Sequence, residues 1–338
     1  MQDRLATWVA DASTRPVTQV AVSDQPGELL LAVPPKALFN PVQLARHSPL
    51  RCHTNDINDV WRAITQHTNP PSLRRDAFLW AWLCVNSRCV YLDLHYTHHA
   101  DNFTMAPLLD MANHTPIAAR ECKVRYNARD GLELYAPSDG VAAGAEVCIT
   151  YGAHANALLL AEYGFVLPFG VHSDGAWKGN QYAEILVDSQ VDALLDAQGE
   201  MGEWKRALLR EEGYWGDYTM HPAPAPAHPS HRLHVALQLV CLEVQSHTEQ
   251  NTAGARSKED AARQWRLTIQ GMRESISRAN ENAVRSTLQQ LCAAAQQEAA
   301  TKQALLAPLP PSTSKSFVMQ LLAEQDCIAK LVCEQAMQ

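Results

Sequence analysis

What most constrains this chain is a set of short segments in a fixed order. Pro107-Leu108-Leu109-Asp110-Met111-Ala112-Asn113-His114 is an apolar run that ends on Asn-His. Further on, Ile149-Thr150-Tyr151-Gly152 is an apolar strand that delivers Tyr-Gly. Asn156 and then Glu162-Tyr163-Gly164-Phe165 follow. Asn-His or Tyr-Gly alone carries no information. Several linked pieces in order are far more specific than any one of them.

The rest of the chain organises around these pieces. Gly27–Pro34 reads as a turn feeding a strand that proline stops. Asn40-Pro41 is a helix start, with Asn as cap and Pro at the first helical position. A mainly helical stretch follows and ends with the aromatic and aliphatic run Leu73–Asn86. Cys122–Tyr126 and Leu132–Ala136 flank Asn127-Ala128-Arg129-Asp130-Gly131, a hairpin turn. Pro137-Ser138-Asp139-Gly140 is a second turn, Val147–Thr150 a strand, and Ala153–Glu162 a helix. After Phe169 the texture changes: Gly170–Gly179 is polar and glycine-bearing, and reads as a lobe boundary. His221–Pro229 has alternating prolines and reads as a stiff, extended linker or loop. Leu233–Val244, Lys258–Ala300 and Ser316–Ala336 read as helices. In the last, Val318, Leu321, Leu322, Ile328 and Leu331 fall near helical spacing and are expected to be core.

Composition bounds the class. A chain of 338 residues with 46% hydrophobic content suits two domains, or one domain with an added lobe. The formal charge is −8 and no basic block stands out, which argues against direct nucleic-acid binding. An acidic balance would suit a basic protein partner, although net charge speaks weakly to function. Nine cysteines without a C-x-x-C pair point away from disulfides and zinc clusters, towards a cytosolic or nuclear setting. Met1–Leu5 carries no long apolar core, so no signal peptide is expected. No apolar run approaches the ~20 residues of a membrane span, so no membrane partner is expected. His95, His98 and His99, and the scattered His221, His228, His231 and His234, lack a completing Cys or Glu; no metal is expected. Neither G-x-G-x-x-G nor a phosphate-binding Gly-Lys-Ser/Thr loop occurs, which disfavours a nucleotide-binding α/β enzyme.

The stretch Phe78–Phe165 resembles the Rubisco large-subunit lysine methyltransferase branch of the SET-domain protein methyltransferases. The resemblance implies an α+β fold: short twisted β-sheets with a pseudoknot, a helical insert at roughly 41–100, and an α-helical C-terminal substrate-binding lobe. The implied domains are 1–172 for the SET portion and 173–338 for the lobe. The implied activity is S-adenosylmethionine-dependent methylation of a lysine on a protein substrate, such as a ribosomal protein, an elongation factor or a histone. Many histone-directed relatives carry cysteine-rich zinc elements; the Rubisco-type branch does not, and this chain agrees with it.

The same resemblance assigns residues. Tyr151 matches the catalytic tyrosine that orients the amine; the alternative is a core tyrosine with a satisfied hydroxyl. Asn113 and His114 match the cofactor-holding Asn-His pair; the alternative is a tight turn after a buried strand. Asp110 is expected to position that pair, or else to be a turn carboxylate. Arg88, closing the Leu73–Asn86 helix, matches an arginine that reaches the cofactor carboxylate; the alternative is a helix C-terminal arginine favoured by the dipole. Phe165 is expected to wall the adenine site and Tyr163 the substrate channel, with core packing as the rival account. Asn156 is expected to tie strands together in the pseudoknot, or else to face solvent.

One departure stands out. Family members usually carry a Gly-x-Gly turn shortly before the position of Gly27-Glu28. Here Thr14-Arg15-Pro16-Val17-Thr18-Gln19-Val20-Ala21-Val22 has no glycine. Three accounts are open: a lost segment after Trp8, a loop built differently that still binds, or a non-catalytic SET-fold binding module. A histidine acceptor in place of lysine is also open.

Overall fold

The computed structural model describes residues 27–34, 38, 57–67, 74–95, 102–142, 144–244 and 257–337. The expected helix start at Asn40-Pro41, the stretch Thr14–Val22, and His98 and His99 lie outside the described residues. The chain forms two compact units, Met1–Ala153 and His154–Gln338.

In the first unit, β1 (Leu29–Val33) pairs with β6 (Gly131–Tyr135), which pairs with β5 (Lys123–Asn127), all antiparallel. The β5–β6 hairpin is the expected one. The Asn127 side chain accepts from the backbone N–H groups of Arg129 and Asp130, an Asx turn, and Gly131 takes a left-handed φ of 87°. The turn at 137–140 also forms, with Gly140 N–H donating to the Pro137 carbonyl. Leu30, Val33, Leu132 and Leu134 face inward from this sheet and join Leu109 and Ile149 in one core.

Among the described residues, two α-helices precede the hairpin, α1 (Ile57–His67) and α2 (Arg75–Arg88). Trp61 and Phe78 pack ring against ring between them, with centroids 5.2 Å apart. The expected run Leu73–Asn86 thus forms a helix, shifted by two residues. It passes directly into β2 (Cys89–Tyr91), which pairs antiparallel with β3 (Phe103–Met105). β4 (Asn113–His114) pairs in parallel with β7 (Cys148–Ile149).

The second unit is mainly helical. Ala153–Glu162 is less regular than expected: a short α turn, Asn156–Leu158, continues as a π turn, Leu159–Tyr163, which Gly164 ends at φ 78°. Gly170–Gly179 closes a small hairpin, β8 (Gly170–Val171) with β9 (Trp177–Lys178), inside this unit. β10 (Ile185–Leu186), β11 (Thr219–His221) and β12 (His228–Pro229) form an antiparallel sheet. Of the two expected readings, linker or loop, the proline-rich stretch is therefore the loop, connecting two paired strands. Between β10 and β11 lie α3 (Asp188–Asp196) and α4 (Glu200–Glu211).

The C-terminal part holds α5 (His231–Val240), α6 (Lys258–Ile269), α7 (Arg278–Leu306) and α8 (Thr313–Ala336). Each of these four begins with a serine that accepts a backbone N–H three residues on: Ser230, Ser257, Ser277 and Ser312. Leu233, Leu237, Met220 and Trp265 are sealed in the core, and the Trp265 indole N–H donates to the Val235 carbonyl at 2.9 Å. In α8 the buried apolar positions are Leu322, Ile328, Ala329 and Val332, with Leu331 packed beside them; Val318 and Leu321 are half-buried. Of the expected stripe, Leu322 and Ile328 are buried and the other three are half-buried.

Candidate functional site

The site in the first unit grows from one bend. Leu108 adopts φ 75°, the left-handed region, which costs a leucine on the order of 1–2 kcal/mol. Leu109, fully buried, anchors the 3-10 turn Leu109–Met111 that follows. The Asp110 N–H donates to Ala106 O, and the Ala112 N–H to Leu109 O at 2.9 Å. The bend sends Asn113 and His114 out as β4.

The strand β7 passes between two arms of the earlier chain. On one side it pairs with β4, and Thr115 N–H donates to Ile149 O at 2.9 Å. On the other side Cys122 N–H donates to Cys148 O at 2.9 Å, beside a parallel bridge from Glu121 to Cys148. Both arms belong to the segment 113–122, so β7 is threaded through it. The pseudoknot that the resemblance implies has this character.

Threading places Tyr151 just past β7, back against the Asn-His strand. Its hydroxyl donates to the Ala112 carbonyl at 2.8 Å. Its backbone N–H donates to His114 Nδ1 at 3.1 Å, so a neutral ring at His114 carries its proton on Nε2. The two rings lie 5.3 Å apart, tilted by 39°. Tyr151 is half-buried, with its hydroxyl oxygen bonded as a donor and able to accept.

Arg88 is the last residue of α2. Its Nη1 donates to the Asp110 carbonyl at 2.7 Å and lies 3.5 Å from Met111 Sδ. Nε and Nη2 take no partner among the described residues, which leaves a fork of donors suited to a carboxylate. Asp110 is half-buried on the 3-10 turn. Burial pushes its carboxyl above the usual range, and the Arg88 guanidinium pulls it part of the way back.

Asn113 is exposed, and its amide donates to Glu146 Oε1. Glu146 was missed in the sequence, because the pairing of Asn113 with Cys148 that brings it alongside exists only in the fold. Cysteine chemistry is not offered here. Burial, then the Asp110 charge, pushes the Cys89 thiol up to about 11, and burial also raises Cys122 and Cys148.

The structure thus joins Arg88, Asp110, Asn113, His114 and Tyr151 in one connected set. Tyr163 and Phe165 belong to the second unit, where both are half-buried and their rings are 6.4 Å apart. Burial, then Glu162, raises the Tyr163 hydroxyl. Asn156 is fully buried, so it does not face solvent. Its partners are the Leu167 backbone and Glu324, all within the second unit. Among the described residues no group of three His, Cys, Asp or Glu side chains is placed to hold a metal ion. Among them, too, no helix is long and apolar enough to cross a membrane.

The donor set fits an amino-acid-bearing cofactor. An arginine fork and an exposed asparagine amide suit a carboxylate and an ammonium, and the ring of His114 and the strand backbone suit a flat heterocycle.

Residues 197–325 match the family described as Rubisco LSMT substrate-binding. Ribosomal lysine N-methyltransferase set11 of Schizosaccharomyces pombe is 28% identical over 199 residues, covering 56% of this chain and 46% of that protein. SET domain-containing protein 4 of Mus musculus is 30% identical over 220 residues, covering 64% of this chain and 43% of that protein. The chain therefore spans less than half the length of these curated relatives. Among solved structures, Rubisco LSMT bound to sinefungin and monomethyllysine superposes with a TM-score of 0.58 at 14% identity, covering 99% of this chain and 91% of that one. Rubisco LSMT bound to AdoMet superposes with a TM-score of 0.55, also at 14% identity. The α+β SET fold with a helical lobe is the fold of this chain.

Proposed function

We propose, from the premise that this chain is a Rubisco LSMT-like SET protein, that it methylates a lysine side chain on a protein substrate. The observation that carries the reading is the threaded strand that ties Tyr151 to Ala112 and His114 while Arg88 reaches the same turn. The cofactor is S-adenosylmethionine. When bound, it supplies an activated methyl carbon on a sulfonium leaving group.

The chain's own residues do the remaining work. Arg88 holds a carboxylate through Nε and Nη2. Asn113, kept in place by Glu146, meets the amino-acid end, and the His114 segment supports the adenine. Asp110 fixes the turn between Arg88 and Asn113. Tyr151 orients the acceptor amine; its ring is held by its own hydroxyl bond to Ala112 and by contact with His114. Lysine must lose a proton from an ordinary pKa of about 10.4, and apolar surroundings favour the neutral amine. No strong base is needed, since the proton leaves to water before transfer. Tyr163 takes the substrate-channel role and Phe165 the adenine-wall role that the resemblance assigns.

We assign the SET portion to 1–172 and the substrate-docking lobe to 173–338. A ribosomal protein is the substrate we favour, because relatives carry the name ribosomal lysine N-methyltransferase. The setting is cytosolic or nuclear, in keeping with the free thiols at the described cysteines.

The test is incubation of the purified protein with labelled methyl donor and a ribosomal protein fraction, followed by mapping of the labelled residue. Label on a lysine is expected. Label on histidine would move the acceptor assignment, and no label on any protein from folded material would refute the reading.

A further inference from the structure

We propose that Glu324 is a positioning residue for the segment that carries Tyr163 and Phe165, acting through Asn156. The inference rests on the reading of Tyr163 as a channel residue, and every contact it uses lies within the second unit.

Asn156 is a bracket. Its Oδ1 accepts the Leu167 N–H at 2.9 Å, and its Nδ2 donates to the Leu167 carbonyl at 3.0 Å. One buried side chain thereby ties both ends of the segment 156–167. Tyr163, Gly164 and Phe165 lie between those ends. The segment is irregular, a π turn broken by a left-handed glycine, and such turns persist where their surroundings hold them.

The second Nδ2 hydrogen of Asn156 goes to Glu324 Oε1 at 2.8 Å. One turn earlier on α8, Gln320 Nε2 donates to the same Leu167 carbonyl at 3.0 Å. Residues four apart share a helix face, so α8 grips the bracket at two points. Glu324 is 2% exposed and forms no salt bridge among the described residues. A leucine would pack that position without the cost of burying a carboxyl. What the carboxyl supplies is an acceptor aimed at Asn156.

His154 also lies against Tyr163, with ring centroids 6.4 Å apart and planes within 28°. Asn180 Nδ2 in turn donates to the His154 carbonyl at 2.8 Å. The Tyr163 ring is therefore set by the bracket below it and by His154 beside it. Loosening the bracket frees the ring, and with it Phe165 in the same segment, without touching Arg88, Asp110, Asn113 or His114.

The test compares wild type, Glu324→Leu, Glu324→Gln and Gln320→Leu in the full chain. The first readout is the resonance of fluorotyrosine at Tyr163, identified by its loss in Tyr163→Phe. The second is the split between kcat and KM for methyl transfer. Glu324→Leu is expected to shift or broaden the Tyr163 resonance and to lower kcat by up to about a hundredfold, the scale of a misplaced reactant, with any rise in KM for the methyl donor through Phe165 smaller than the fall in kcat. Glu324→Gln keeps the carbonyl acceptor and is expected to match wild type. A folded Glu324→Leu protein with wild-type resonance and kcat overturns the proposal. Where Glu324→Leu does not fold, Gln320→Leu decides in the same way. Should the wild type transfer no methyl group, the function reading fails, and the resonance alone still decides this one.

Discussion

At the scale of single residues, Glu324 ties structure to pH. Burial pushes its carboxyl from the ordinary glutamate range up to about 7, against the hydrogen bond from Asn156. In the folded chain the proton is held through the interval from the ordinary value to about 7, while the unfolded chain has released it. Stability from this group is therefore fully present below the ordinary value and is lost as pH rises through that interval. The loss is about 3 kcal/mol at neutral to alkaline pH. Melting temperatures of wild type and Glu324→Gln between pH 5 and pH 8 should diverge, the wild type losing more. Parallel curves would show that the carboxyl ionises normally.

The same residue shows what a sequence hides. Glu324 and Asn156 are far apart in the chain, and nothing local pairs them. Glu146 and Asn113 are joined by a strand register that emerges only after the chain threads. By contrast, Asn113, His114 and Tyr151 were visible because their identities and order carry the information.

At the scale of elements, local chemistry was the legible part. The β5–β6 hairpin follows from Asn127 and Gly131, whose turn preferences act within five residues. The four serine caps of α5 to α8 were equally available in the sequence. Gly170–Gly179 folds as a tight hairpin, since polarity and glycine mark a turn as well as a boundary. The proline-rich stretch reads as linker or loop because a stiff connection between paired strands shares its composition with a linker, and only the strand pairing decides for the loop. One helix contact depends on a glycine. A Cβ on Gly202 of α4 would stand 1.8 Å from the Leu195 carbonyl oxygen of α3 and 2.6 Å from its carbon. Those are backbone atoms, so the two helices would have to part. Gly202→Ala should cost roughly 1–3 kcal/mol, seen as a lower melting temperature, and an unchanged melt would mean that α3 and α4 do not pack so closely in solution.

At the scale of the whole molecule, two compact units carry separate cores, and a family match to 197–325 covers much of the second. The first unit contains the threaded strand and the connected set from Arg88 to Tyr151. The residues that the resemblance assigned there, Arg88, Asp110, Asn113, His114 and Tyr151, are the ones that the fold gathers. The central claim is that this set performs methyl transfer, with Tyr151 orienting the amine. The most direct measurement is the rate of methyl transfer to lysine by wild type and by Tyr151→Phe, alongside calorimetric titration of both with S-adenosylmethionine. The account predicts similar cofactor affinity and a kcat lowered by about a hundredfold in the variant, the scale of a positioned catalytic group. A Tyr151→Phe protein that binds the cofactor and transfers methyl at the full wild-type rate would contradict it.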